Sequence, residues 1–216
     1  MAVRTIWGAR ALVVAFAVFA AGGACSLERS GYQFVRSQQT GTYLKVPKGW
    51  TVYGHRDVTR FLEEKGASTE ETRARTPFIS TFSADKKPKI LPFDPTGNVP
   101  AGIVRVKALS PEERDETSFA SLREEIVDFD AGLQAGQIEV LDSEEIEQDS
   151  GVRGQRVVFN IRDPSNGGVF TVDQTTLLDK STSKLYLLAV GCETSCYDQN
   201  RKQIDAVVGS LTIKET

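Results

Sequence analysis

The sequence predicts an α+β fold: an antiparallel β-sheet meander flanked by helices. Three observations carry that expectation. Four strand-like runs follow one another at 138–148, 152–162, 169–179 and 185–192, separated only by short polar connections of hairpin type. Two other segments, 110–129 and 197–210, repeat their apolar residues every three or four positions, the period of an amphipathic helix. Further strand-like runs and Pro/Gly turns occupy the first half of the chain, so helices packed on an antiparallel sheet bury both kinds of apolar face.

In the polar stretch 26–40, Tyr32, Phe34 and Val35 offer a short pairing segment. Residues 42–46 read as a strand, Pro47-Lys48-Gly49 as a turn, and 50–53 as a returning strand. That turn places Trp50 where it packs between an N-terminal hairpin and a helical layer. Val58, Phe61 and Leu62 have the i, i+3, i+4 spacing of a short helix over 57–65, stopped by Gly66. Residues 78–83 are another strand. Pro88, Pro92, Pro95, Gly97 and Pro100 make 86–100 a long irregular loop, and 101–109 alternates as a strand should. Ser110-Pro111-Glu112-Glu113 is a capping box with proline at the first helical position. The helix it opens presents Phe119, Leu122, Ile126 and Phe129 on one face and ends at Gly132 or Gly136. After the meander, Ile204, Val207, Val208 and Leu211 mark the last helix, and 211–214 closes the chain as a short strand.

Residues 1–24 predict an export leader. Arg4 and Arg10 precede an apolar run over 11–21, and Gly22-Gly23-Ala24-Cys25 follows. This is the order of a secretory signal peptide. The run is shorter than the ~20 apolar residues that span a bilayer as a helix. A cysteine directly after small residues is also where bacterial lipoproteins are cut and acylated. Gly22 and Ala24 fit ordinary signal peptidase as well. Cysteine parity favours acylation: of three cysteines, Cys192 and Cys196 lie near enough to pair, and lipidation removes the thiol of Cys25. The expected organisation is a signal peptide over 1–24, a lipidated Cys25 and tether over 25–41, and one domain over 42–216. Its expected location is the outer face of the cell membrane, held by the lipid on Cys25.

Removing a leader that holds two arginines and no acid takes the formal charge from −3 to −5. That balance argues against nucleic acid as a partner. It also argues against adsorption to anionic headgroups beyond the anchor itself.

On an extended strand the α-carbons of Cys192 and Cys196 would stand ~13 Å apart. A disulfide needs roughly 4.4–6.8 Å, so pairing them demands a turn between the last meander strand and the final helix. Thr194 or Ser195 is placed to cap that helix. A single histidine cannot complete a zinc set with two cysteines, and CxxxC is not the redox spacing CxxC. A structural disulfide of an oxidising compartment is the reading. His55, the one histidine, has Asp57 nearby in sequence but no marked serine, so a surface or loop role is expected. Ser83-Ala84-Asp85-Lys86 and Ser181-Thr182-Ser183-Lys184 match Ser-x-x-Lys, yet both fall in turns without the companion motifs. The acidic run 142–147 puts carboxylates on both faces of a strand, as on a solvated sheet edge. No catalytic set, metal site or cofactor motif stands out.

Thr42-Tyr43-Leu44-Lys45-Val46-Pro47-Lys48-Gly49-Trp50 resembles the opening strand and Pro-x-Gly-Trp turn of the PsbP-like fold. Lys184-Leu185-Tyr186-Leu187-Leu188, with Ile204 to Leu211, is similar to its closing strand, helix and strand. Leader and fold together resemble actinobacterial envelope lipoproteins of the LpqN type. The resemblance implies an α/β/α sandwich and carries no catalytic residues, because that fold hosts unrelated functions. Two readings follow. One is a non-catalytic envelope lipoprotein that contacts an envelope protein or a small apolar ligand through Ile90, Leu91 and Phe93. The alternative is an envelope hydrolase whose site assembles around His55.

Overall fold

The computed structural model describes residues 31–67, 69–91, 97–148 and 150–214. The leader, Cys25 and Phe93 lie outside the described residues. β1 (Tyr32–Ser37) and β2 (Thr42–Pro47) pair as an antiparallel hairpin from Tyr32↔Pro47 to Ser37↔Thr42. The chain is therefore folded from Tyr32 onward, ten residues before the expected start of the domain at 42. Pro47-Lys48-Gly49 does not close a hairpin. The Trp50 N–H donates to the Pro47 carbonyl (3.0 Å), and the chain crosses to a second sheet. There β3 (Thr51–Tyr53) pairs with β4 (Phe78–Ser83). Trp50 is buried at this crossing and stacks on Phe82 of β4, with ring centroids 6.1 Å apart.

Between β3 and β4 run α1 (His55–Glu64) and α2 (Glu70–Arg75). The second was not expected; the Thr69 hydroxyl opens it by accepting the Thr72 N–H (3.1 Å). β5 (Ala101–Ala108) pairs with β4, and the capping box follows as predicted: Ser110 and Glu113 each accept the other's backbone N–H. The long helix does not form. The segment breaks into α3 (Pro111–Glu116), α4 (Phe119–Leu122), a 3₁₀ turn (Arg123–Glu125) and α5 (Phe129–Gln134). Local capping competes with propagation at each break. Ser118 is extended and accepts the Ser121 N–H, and Asp128 accepts the Ala131 N–H. Of the expected apolar face, Leu122 and Phe129 are buried, but Phe119 is 46% exposed.

The meander is as expected: β6 (Ile138–Glu147), β7 (Arg153–Arg162), β8 (Val169–Leu178) and β9 (Lys184–Glu193) pair in sequence order. β9 then pairs with β5, so the large sheet reads β3-β4-β5-β9-β8-β7-β6. The β8–β9 turn contains no glycine. The Asp179 carboxylate holds it by accepting from the backbone N–H groups of Ser183 and Lys184 and from the Ser181 and Ser183 hydroxyls. α6 (Thr194–Val208) and β10 (Thr212–Ile213) finish the chain, and β10 pairs with β2 to complete a small sheet β1-β2-β10.

α6 packs on β8, β9 and β2. It shares a core with Leu44, Val46, Val104 and Leu188 through Ile204, Val207 and Val208. On the other face of the large sheet Leu109, Leu122, Leu178, Leu185 and Leu187 form a second cluster, and Phe129 meets Phe159 edge-on at 5.0 Å. The small sheet joins the first layer by the Tyr186 hydroxyl, which donates to the Thr40 carbonyl (3.2 Å).

Candidate functional site

The sequence-predicted disulfide is formed. Cys192 is the penultimate residue of β9, Cys196 lies in the first turn of α6, and their α-carbons are 5.9 Å apart because the helix begins between them. Neither Thr194 nor Ser195 caps that helix. Glu193 occupies the cap, and the Thr194 hydroxyl donates instead to the Val169 carbonyl (3.1 Å).

His55 is the first residue of α1 and borders a cleft of about 530 Å³ between that helix turn and β1, floored by Val52, Phe78 and Ser80. Its Nδ1 accepts the Ile79 N–H (3.2 Å), which assigns the ring proton to Nε2. Burial lowers its pKa from 6.5, so the ring is neutral at pH 7. A serine and a carboxylate do line the same cleft, but each is engaged elsewhere. The Ser80 hydroxyl donates to the Tyr53 carbonyl (2.7 Å); Asp57 accepts from the Gly54 N–H and pairs with Arg60 at 3.1 Å. Among the described residues no hydrogen bond joins His55 to either. A nucleophile must be within reach of its base, and this arrangement does not supply that.

The loop of Ile90, Leu91 and Phe93 is anchored at its start. Tyr53 and Thr81 donate their hydroxyls to the carbonyls of Pro88 (2.9 Å) and Ile90 (2.5 Å). Ile90 is half-buried and Leu91 is 40% exposed. Of the two Ser-x-x-Lys matches, only the second serine lies in a turn: Ser83 is the buried last residue of β4, and Ser181 donates to Asp179 in the β8–β9 turn. Among the described residues no group of three His, Cys, Asp or Glu side chains is arranged to hold a metal.

A buried ionic network escaped the sequence reading. Asp173, fully buried at the middle of β8, accepts from Arg156 Nε (2.8 Å) and Nη2 (2.6 Å) and from the Tyr197 hydroxyl (3.2 Å). Arg156 also reaches Asp205 of α6 (3.2 Å) and Glu144 of β6 (3.4 Å), so one guanidinium ties three elements. The bond to Asp173 holds Arg156 above its usual range. Burial, then the charge of Asp173, pushes Tyr197 up. The signal was a lone carboxylate inside the buried run Val169–Leu178, which only a partner on a facing element can satisfy.

A second charged group surrounds Glu113, which pairs with Arg75 and with Lys107 (2.9 Å). Partial burial raises its pKa, but the Ser110 N–H, Lys107 and Arg75 outweigh that and bring it from 4.5 to about 2.

No protein-family model matches the chain, and no curated protein matches it. Among solved structures it is similar to the cyanobacterial PsbP protein CyanoP of Synechocystis. The TM-score is 0.51 and the identity 14%, over 90% of this chain and 99% of that one. LpqN of Mycobacterium tuberculosis, described as involved in cell envelope biogenesis, gives 0.45 at 12% identity over 85% and 91%. The Ran-binding protein Mog1p of Saccharomyces cerevisiae gives 0.46 at 8% over 84% and 95%. At these identities the likeness to CyanoP establishes the fold and nothing finer. The chain has the PsbP-like fold: antiparallel sheet between helical layers.

Proposed function

We propose that this chain is an exported lipoprotein, acylated on Cys25 and displayed on the outer face of the cell membrane, where its PsbP-like domain is a non-catalytic binding module. The observation that carries the reading is the cysteine count. With Cys192 and Cys196 bonded to each other, Cys25 is the odd cysteine of three, directly after a leader and its Gly22-Gly23-Ala24. Among the described residues no helix is long and apolar enough to cross a membrane; the proposed attachment is by acyl chains on Cys25. The engagement of Ser80, Asp57 and His55 with backbone and neighbours supports binding over hydrolysis.

The loop around Ile90, Leu91 and Phe93 is the proposed contact for an envelope protein, since Leu91 is exposed while the carbonyl of Ile90 is pinned to β4. Replacing 86–100 by a Gly/Ser linker tests it: a folded variant that recovers the same membrane proteins on pull-down removes the loop from the interface. The anchor is tested by mass spectrometry of the mature N-terminal peptide. A lipid mass on Cys25, lost in Cys25→Ser with release from the membrane fraction, is expected. An unmodified N-terminus in the wild type would overturn the reading.

A further inference from the structure

The outer face of the small sheet has a composition unlike the rest of the molecule. Pairing partners in an antiparallel ladder point to the same side. Tyr32↔Pro47, Phe34↔Lys45, Arg36↔Tyr43 and Tyr43↔Thr212 therefore share one face, while Val35, Leu44, Val46 and Ile213 share the buried one. Lys214 belongs to the outer face too, with its Nζ 5.0 Å from the centroid of the Tyr43 ring. This face thus holds Tyr32, Phe34 and Tyr43 together with Arg36, Lys45 and Lys214. Among the described residues it holds no acid, on a chain whose mature charge is −5. Phe34 is 61% exposed and Tyr32 37% exposed. Arg36 and Lys45 form no ion pair with any described residue. Beside the face, Lys214 borders a cavity of about 480 Å³ lined also by Lys180 and Lys184 and by one acid, Asp179, whose carboxylate is taken up by the β8–β9 turn.

We infer that this face is a docking surface for an anionic phospholipid bilayer, set against the membrane by the acylated Cys25. The inference rests on the anchor reading for its geometry and on the residues for its chemistry. Seven residue steps separate Cys25 from Tyr32, so the chain between them spans at most roughly 25 Å. β1 is the first described element after Cys25 along the chain. Aromatic side chains favour the bilayer–water interface, and lysines and arginines near an anionic leaflet gain electrostatic attraction that fades within a Debye length. One acyl-anchored attachment supplemented by a basic patch is a known physical route to stable association. The proposal departs from the expectation from net charge that headgroups would not be engaged. The average is acidic, but strand alternation sorts the cations onto one face.

The test uses the mature chain carrying Cys25→Ser, whose binding owes nothing to an acyl group, so its outcome is independent of whether Cys25 is lipidated. Sedimentation with phosphatidylcholine vesicles is compared with vesicles that also contain phosphatidylglycerol. Preferential binding to the anionic vesicles, weakened by salt, is expected. Arg36→Gln, Lys45→Gln and Lys214→Gln should each lower that binding about five-fold, the ratio that corresponds to about 1 kcal/mol per cation near the surface. Phe34→Ser should lower it without changing the salt dependence. Unchanged thermal unfolding certifies that each variant is folded. Equal binding to both vesicle types, or indifference to the three cation substitutions, overturns the proposal. So does binding that requires the proteins of native membranes, since it would make the face a protein contact.

Discussion

The two ends of the molecule carry opposite surfaces. At one end the small sheet turns outward three cations, three aromatic rings and, among the described residues, no acid. At the other end β6 is the free edge of the large sheet, with five carboxylates and no cation in its sequence and a bulge between Val140 and Asp142. Val140 and Leu141 are exposed beside those carboxylates. The edge carries two devices that discourage pairing with another strand, charge and a bulge. The outer face of the small sheet carries charge of the opposite sign, set among aromatic rings, and its described ladder has no bulge. One surface is built to stay in water and the other to meet something. A single net charge for the chain averages the two and describes neither.

The largest expected effect lies beneath the acidic end. Arg156→Leu leaves Asp173 buried without its cation and frees Glu144 and Asp205, and should cost about 3–5 kcal/mol in denaturant unfolding. A cost below about 1 kcal/mol would mean that β6 is held by its backbone ladder alone.

At the basic end the two sides of one sheet can be separated. Leu44→Ala, on the buried side, should cost about 2–5 kcal/mol, and Phe34→Ser, on the outer side, should stay within about 0.5 kcal/mol. Similar losses for both would place Phe34 in the core and remove the distinction between faces. Trp50→Ala should resemble the buried case, at about 3–5 kcal/mol, because Trp50 fills the crossing between the sheets.

The smallest effect concerns a region where charges are paired. Glu113 titrates at about 2 in the folded chain against 4.5 when free. Its contribution is therefore complete above pH 4.5 and is lost as pH falls toward 2. Glu113→Gln should flatten the stability profile over that window and leave the profile near pH 7 parallel to wild type. An unchanged acid limb would show that Lys107 and Arg75 do not hold the carboxylate in solution.

How much of this was legible in the sequence depends on range. The four meander strands were, because each run and its connection are local, and so was the disulfide, because a turn between Cys192 and Cys196 was the only way to pair them. The helix over 110–129 was misread because its apolar spacing survives although Ser118 and Asp128 interrupt the backbone. The hairpin at Pro47-Lys48-Gly49 was misread because β2 takes its second partner from β10 at the far end of the chain. The same non-local pairing hid the basic face: Arg36, Lys45 and Lys214 meet only once β1, β2 and β10 are in register. Asp173 was visible as a polar residue in an apolar run, but Arg156 and Tyr197 become its partners only through packing of β7 and α6.

The contrast between the two ends can be read in one measurement on the membrane-bound protein. Phe34→Cys and Glu145→Cys, each labelled with an environment-sensitive nitrobenzoxadiazole group, report the polarity around the small sheet and around β6 in the acylated chain. The account predicts a blue-shifted, lipid-quenchable signal at position 34 and a water-like signal at position 145. Water-like signals at both positions, or a lipid-quenched signal at 145, would contradict it.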